Sequence, residues 1–119
     1  YRACQTDNGE FRLVEGAGGF YSPLADDGLN ADLAQRLQLP VLLVAADRLG
    51  AINHCLLTAA AIDTRQLTLA GIILNRFEEA TVPGNAAALQ QRLACPVVET
   101  PGDVYADLQW LKPLFEYFM

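Results

Sequence analysis

The chain has 119 residues, of which 52% are hydrophobic and 18% are charged, and its formal net charge is -6 at pH 7. This balance is typical of one globular domain, and we expect residues 1–119 to form a single domain. The eight basic residues are scattered rather than clustered, which disfavours nucleic acid and anionic membranes as partners. No apolar run approaches the ~20 residues that span a bilayer, and no basic and apolar leader precedes the first predicted strand, so we expect a soluble, cytoplasmic protein.

The first half of the chain alternates between predicted strands and helices. A short apolar run at residues 11–14 predicts a strand that stops at Gly16. Asn30 is the predicted cap of a helix that ends before Pro40. The next run, residues 41–46, is apolar throughout, which favours a strand buried on both faces.

The second half continues this alternation. Its predicted elements are, in chain order, a helix at residues 50–64, a fully buried strand at 70–74, a helix at 85–93, a short strand at 97–98 and an amphipathic C-terminal segment, 104–119, that Pro113 interrupts. Apolar strands that alternate with helices predict an α/β fold, in which helices cover both faces of a parallel sheet. Ligands of such sheets bind where the strands end, which directs attention to residues 15–19, 47–50, 75–76 and 100–102.

The glycine-rich segment at residues 15–19 has two interpretations. Its glycines could form a tight turn after a strand, with Glu15 as a solvated end residue. Alternatively, successive backbone N–H groups could form an anion-binding concavity while Glu15 faces a divalent cation that bridges phosphate oxygens. Glycines alone do not decide between these interpretations.

The order of several short motifs resembles dethiobiotin synthetase. The motifs, as they stand in this chain, are EGAGG at 15–19, PL at 23–24, LPV at 39–41, LGAINH at 49–54, LT at 57–58 and GIILN at 71–75. The resemblance extends over residues 12–76 and weakens toward the C-terminus. It implies a P-loop NTPase-like fold, ATP and Mg²⁺ as cofactors, and an ATP-dependent ring closure in which 7,8-diaminononanoate takes up carbon dioxide.

The same resemblance implies a role for individual residues. Glu15 would be a Mg²⁺ ligand, Asn75 would hydrogen-bond the adenine edge, and Pro101 would border the adenine. The substrate and its carbamate would lie against the backbone of Gly16, Ala17, Gly18 and Gly19. The acid tail of the substrate would reach the start of a helix across a homodimer interface, at Leu49, Gly50, Ala51, Ile52 and Asn53.

The chain departs from the family in one respect. It contains no G-x-x-x-x-G-K-[ST] phosphate-binding loop, and its only lysine, Lys112, lies near the C-terminus. The sequence therefore resembles the C-terminal half of such an enzyme, without the N-terminal strands, and we expect it to be inactive alone. The alternative is a non-catalytic binding or scaffold domain that retains the fold and the dimer surface.

Several polar residues have simple structural interpretations. We expect His54 to pack at a subunit contact rather than to act as a base or ligand. Asp26, Asp27 and Asp32 could be cation ligands, but a solvated loop and a helix start explain them equally well. Asp47 and Arg48 are expected to end their strand as a local ion pair of little energetic weight.

Overall fold

The structure is a computed structural model that describes residues 12–76 and 81–118. Its first elements are two short antiparallel strands, β1 (Pro23–Ala25) and β2 (Gly28–Leu29), followed by the helix α1 (Asn30–Leu37). This helix starts at the predicted place, but Asn30 does not cap it. Asp32 Oδ2 accepts the N–H of Leu29 at 2.8 Å, which satisfies a donor at the helix start.

Three parallel strands and two connecting helices form the centre of the molecule. They are, in chain order, β3 (Val41–Ala46), α2 (Ala51–Thr64), β4 (Leu69–Asn75), α3 (Asn85–Gln90) and β5 (Val97–Glu99). The strand order is β3-β4-β5, so each strand pairs with the next along the chain. This arrangement confirms the predicted α/β fold class, because parallel neighbours need a crossover connection and a helix supplies each one.

Helices cover both faces of this sheet. On one face, Ile72 and Leu74 of β4 are buried against Cys55 of α2 and Leu89 of α3. Because side chains alternate along a strand, Gly71 lies on the opposite face. There α4 (Lys112–Phe118) follows a 3₁₀ turn (Gln109–Leu111) and places Leu114 where a side chain at position 71 would otherwise lie.

Two strand predictions are wrong. Residues 12–16 adopt no regular secondary structure, so the predicted strand at 11–14 does not form over 12–14, and residue 11 lies outside the described residues. A strand exists through hydrogen bonds to a neighbour, which an apolar run alone does not reveal. The strand β3 is not buried on both faces, since Val44 is 59% exposed on the side where α4 covers β4.

The C-terminal segment also differs from its prediction. Pro113 does not interrupt a helix but lies in the first turn of α4. Proline is tolerated there because the first N–H groups of a helix have no partner within it. Among the helices in residues 12–76 and 81–118, none is long and apolar enough to cross a membrane.

Candidate functional site at the strand ends

The glycine-rich segment forms an exposed loop that is held by two polar side chains. Asn30 Nδ2 donates to the carbonyl oxygens of Ala17 at 2.7 Å and Gly19 at 2.9 Å. The N–H of Gly19 donates to Ser22 Oγ at 2.8 Å, and Gly18 has a φ of 79°. The loop therefore has a defined shape, although Glu15 and the four residues after it are all exposed.

This geometry explains the need for glycine at two positions. A Cβ atom at Gly16 would lie 2.7 Å from Asn30 Oδ1, and one at Gly18 would lie 2.7 Å from Ser22 Oγ. Gly18 also has the left-handed backbone conformation that glycine adopts without steric cost. The N–H of Gly19 is occupied by Ser22, so an anion in this loop would have to rely on the neighbouring N–H groups or displace that hydroxyl.

A buried carboxylate lies at the end of β3, where the sequence predicts a local ion pair. The side chain of Asp47 is 0% exposed. Its Oδ1 accepts a hydrogen bond from Asn85 Nδ2 at 2.7 Å, and Arg76 Nε lies 3.1 Å from its Oδ2. Both partners are distant in sequence, so the expectation of only a local Asp47–Arg48 pair of little energetic weight is wrong.

Further hydrogen bonds connect the ends of the other two strands. The N–H of Arg76 donates to Thr100 Oγ1 at 2.8 Å, and Arg76 Nη1 lies 3.1 Å from Glu99 Oε2. The N–H of Thr100 donates to the carbonyl of Leu74 at 2.9 Å. We call Asp47, Arg76, Asn85, Glu99 and Thr100 the strand-end network. It fixes the carboxyl ends of β3, β4 and β5 relative to one another.

The two predicted adenine contacts lie at this same edge. Asn75 is the last residue of β4, and Pro101 lies two residues beyond β5, the adjacent strand. Both residues are half-buried. The carbonyl of Asn75 accepts the N–H of Asp47 at 2.8 Å, and this hydrogen bond fixes the backbone at the carboxyl ends of β3 and β4. The structure thus brings Asn75 and Pro101 to neighbouring strand ends, and their contact with adenine stays a prediction.

The LGAINH motif forms the turn that starts α2. Gly50 precedes the helix with a φ of 92°, and no side chain caps the helix start. Ala51 is buried and its N–H donates to the carbonyl of Arg48 at 3.0 Å. Leu49 is 87% exposed, Ile52 is half-buried, and Asn53 is exposed. An uncapped helix start attracts carboxylates because its N–H groups carry partial positive charge.

The residues present can supply one carboxylate ligand to Mg²⁺. In the described part of the chain, no three His, Cys, Asp or Glu side chains converge on one point. Nucleotide-bound Mg²⁺ commonly takes only one or two carboxylates and fills its other positions with phosphate oxygens and water. The exposed Glu15 carboxylate therefore fits Mg²⁺ as a single protein ligand, with the nucleotide supplying others.

Asp32 has a structural role that explains it without a cation. Its Oδ1 lies 2.7 Å from Arg65 Nη1, which follows the C-terminal end of α2. The hydrogen bond from Leu29 N–H and the Arg65 guanidinium hold the pKa of Asp32 below its usual value. Asp26 and Asp27 are exposed in the turn between β1 and β2. His54 is exposed in the first turn of α2, and its place at a subunit contact stays a prediction.

Sequence reasoning missed most of the strand-end network. Asp47 lies in one of the strand-end segments that the sequence indicates as ligand sites, because it follows a predicted strand. Its partner Asn85, however, lies 38 positions away. The available signal was a carboxylate directly after an apolar strand, since a carboxylate that is buried there needs a cationic or amide partner. The identity of that partner depends on the tertiary fold.

Comparison with known proteins agrees with the resemblance that the short motifs indicate. The model of the family described as AAA domain matches residues 2–104. The chain is 51% identical over 107 residues to the ATP-dependent dethiobiotin synthetase BioD of Nitrosospira multiformis, covering 87% of this chain and 47% of that protein. Its identity to the protein of the same name from Aromatoleum aromaticum is 50% over 88 residues, covering 72% of this chain and 39% of that protein.

A third relative of the same name, from Pseudomonas aeruginosa, is 44% identical over 115 residues, which cover 88% of this chain and 50% of that protein. The chain thus spans about half the length of the curated relatives it matches.

Proposed function

This chain belongs to the AAA domain family, and on that premise we propose that it is the C-terminal half of an ATP-dependent dethiobiotin synthetase, a ligase of biotin biosynthesis. The observation that carries the proposal is the 51% identity to a protein of that name over 87% of the chain. In the proposed reaction, one amine of 7,8-diaminononanoate takes up carbon dioxide as a carbamate. ATP phosphorylates the carbamate, and the second amine closes the ureido ring and releases phosphate.

The glycine-rich loop is proposed to bind the reacting end of the substrate. Mg²⁺ would neutralise charge on the transferred phosphoryl group, and Glu15 would hold it through a carboxylate oxygen. The substrate and its carbamate would lie against the backbone of Gly16, Ala17, Gly18 and Gly19. The hydrogen bonds from Asn30 support this role, because they fix the loop before any ligand arrives.

The nucleotide is proposed to bind at the ends of β4 and β5. The Asn75 side-chain amide offers both a donor and an acceptor, which suits the adenine edge. Pro101 would border the ring from the next strand. Their half-burial and their position on adjacent strands support this assignment.

The acid tail of the substrate is proposed to bind at the start of α2 in the second subunit of a homodimer. The contributing residues would be Leu49, Gly50, Ala51, Ile52 and Asn53. The uncapped helix start supports carboxylate binding, and the exposed Leu49 supports a subunit contact. We further propose that the enzyme is cytoplasmic and binds neither nucleic acid nor membranes.

A reconstitution experiment tests the function. The chain contains no G-x-x-x-x-G-K-[ST] segment, so the chain alone should form no dethiobiotin. The full-length protein, or this chain mixed with the missing half, should form dethiobiotin from 7,8-diaminononanoate and bicarbonate when both ATP and Mg²⁺ are present. Omission of ATP and omission of Mg²⁺ are the controls.

A matched variant tests the metal ligand in the same assay. Glu15→Gln keeps the size of the side chain and should raise the Mg²⁺ concentration needed for half-maximal activity. A folded, complete protein that forms no dethiobiotin would contradict the proposed function. The comparisons do not favour the alternative of a non-catalytic scaffold domain, which predicts a folded dimer with no affinity for ATP.

A further inference from the structure

We propose that Asp47 is a positioning residue that fixes the turn at the start of α2 against the end of β4. This inference rests on the proposed function, in which the two elements hold the substrate's acid tail and the adenine. Residues 49–53 begin two positions after Asp47 in the chain, and the carbonyl of Asn75 accepts the backbone N–H of Asp47. A change at Asp47 should therefore disturb both binding sites at once.

The burial of Asp47 makes its partners essential. A carboxylate that is 0% exposed has lost its hydration, and removing one partner of such a group is costly. Its Oδ1 is bound by Asn85, while Oδ2 makes no hydrogen bond within the described residues. The charge on Oδ2 is thus balanced by Arg76, whose Nε lies 3.1 Å away.

The contacts of Asn85 extend this arrangement to the α2 turn. Asn85 Nδ2 also lies 3.3 Å from the carbonyl oxygen of Arg48, the residue after Asp47. That same carbonyl accepts the N–H of Ala51 at 3.0 Å, where α2 starts. The Asn85 amide therefore holds the β3–α2 turn through one side chain and one main-chain oxygen. Without an acceptor oxygen at position 47, Asn85 would keep only the longer of these contacts.

Arg76 extends the arrangement to the nucleotide side. It follows Asn75 directly, and its N–H is bound by Thr100, the residue before Pro101. The Arg76 guanidinium that balances Asp47 thus belongs to the residue that joins the two strand ends with the proposed adenine contacts. Asp47 itself is enclosed by protein groups, so it acts through the backbone it holds and not by contact with the reacting atoms.

The test compares two isosteric variants of the full-length enzyme. Asp47→Asn removes the charge but keeps the size of the side chain. Asp32→Asn removes a carboxylate from the ion pair with Arg65, at the other end of the 14-residue helix α2. The two ends of such a helix are about 21 Å apart, so the control removes a more exposed carboxylate–guanidinium pair far from the strand ends.

The readout is the separation of KM from kcat for both substrates. Asp47→Asn should raise the KM of ATP and that of 7,8-diaminononanoate by about tenfold each, because misplaced binding groups weaken ground state and transition state alike. Asp32→Asn should leave both KM values unchanged. If Asp47→Asn lowers only the thermal stability and the active fraction, with both KM values unchanged, the residue is merely structural and the proposal is wrong.

Two further measurements keep the proposal falsifiable. Arg76→Lys retains the positive charge but loses the guanidinium fork. This variant should raise both KM values, by less than Asp47→Asn does. If Asp47→Asn does not fold, Arg76→Lys decides between a positioning and a merely structural role. Hydrogen exchange of the folded variant needs no activity: Asp47→Asn or Arg76→Lys should speed exchange of the Ala51 amide, which donates to the carbonyl of Arg48, while the core amide of Ile72 stays protected. Unchanged exchange at Ala51 would overturn the positioning role. An inactive wild-type enzyme would instead overturn the proposed function, and exchange would still decide this inference.

Discussion

The glycine-rich loop and the strand-end network are held by different kinds of contact. The loop is exposed, and its hydrogen bonds join residues 3 to 13 positions apart in the sequence. The strand-end network includes a buried carboxylate, and its hydrogen bonds join residues 23 to 38 positions apart. Local contacts can be rearranged by a ligand without disturbing the sheet, whereas the network cannot change unless three strand ends move together.

The largest expected difference between the two regions is in stability. Asp47→Ala in the full-length protein should lower the free energy of unfolding by about 3 kcal/mol, because Arg76 and Asn85 lose a buried partner. Urea denaturation measures this loss. Glu99→Gln is the control, since it weakens only the half-exposed end of the same network and should cost less than about 1 kcal/mol. Equal losses in the two variants would show that burial of Asp47 carries no special weight.

In the glycine-rich loop, the backbone conformation of Gly18 should have the largest effect on the free energy of unfolding. Gly18→Ala should lower the free energy of unfolding by about 1 to 2 kcal/mol, since an alanine at a φ of 79° is strained and its Cβ would meet Ser22 Oγ. Gly19→Ala is the matched control, because a Cβ there would make only an ordinary contact with Ser22 at 3.6 Å. If both alanines cost the same in thermal denaturation, the loop is not held in the described shape.

Side-chain hydrogen bonds should contribute less to the loop than the backbone does. Asn30→Ala removes two donors to the carbonyls of Ala17 and Gly19 and should cost about 1 kcal/mol in urea denaturation, because exposed carbonyls are resatisfied by water. Limited proteolysis should become faster within residues 15–19 and stay unchanged at the strand ends. Faster cleavage in both regions would mean that the loop and the network form one cooperative unit.

The smallest expected effect is the pH dependence of stability that comes from the Asp32–Arg65 ion pair at the C-terminal end of α2. The folded-state pKa of Asp32 is lowered by the Leu29 N–H and by Arg65, so its contribution to stability is present above the usual carboxyl pKa of 3.8 and is lost as the pH falls through the lowered value. Wild type should therefore have the higher Tm near pH 6, and its advantage over Asp32→Asn should shrink as the pH falls below 3.8. A constant Tm difference across that range would contradict the assigned ion pair.

Local sequence patterns predicted the sheet better than they predicted the site. Continuous apolar runs identified β3 and β4, and the rule that ligands gather at strand ends selected Asn75, Pro101 and Asp47 for inspection. The exposure of Val44 could not be predicted, because it depends on how far α4 extends over the sheet. The strand predicted at 11–14 was wrong for residues 12–14 since hydrophobicity does not report a hydrogen-bonding neighbour.

The partners of Asp47 show why part of the candidate site was beyond prediction. The local interpretation paired this residue with Arg48, its neighbour in sequence, and gave the pair little weight. The fold instead brings Arg76 and Asn85 to it from the two ends of the connection between β4 and α3. Which amide and which guanidinium reach a buried carboxylate is decided by the β3-β4-β5 order, which the residues around position 47 do not encode.

The contact between Gly71 and Leu114 has an evolutionary consequence. A Cβ atom at position 71 would overlap Leu114 Cδ2 and would lie 3.3 Å from the carbonyl oxygen of Pro96. The backbone oxygen cannot be replaced by mutation, but the leucine can. The two positions should therefore covary in size among related sequences: where alanine occupies the position equivalent to 71, a side chain smaller than leucine is expected at the position equivalent to 114.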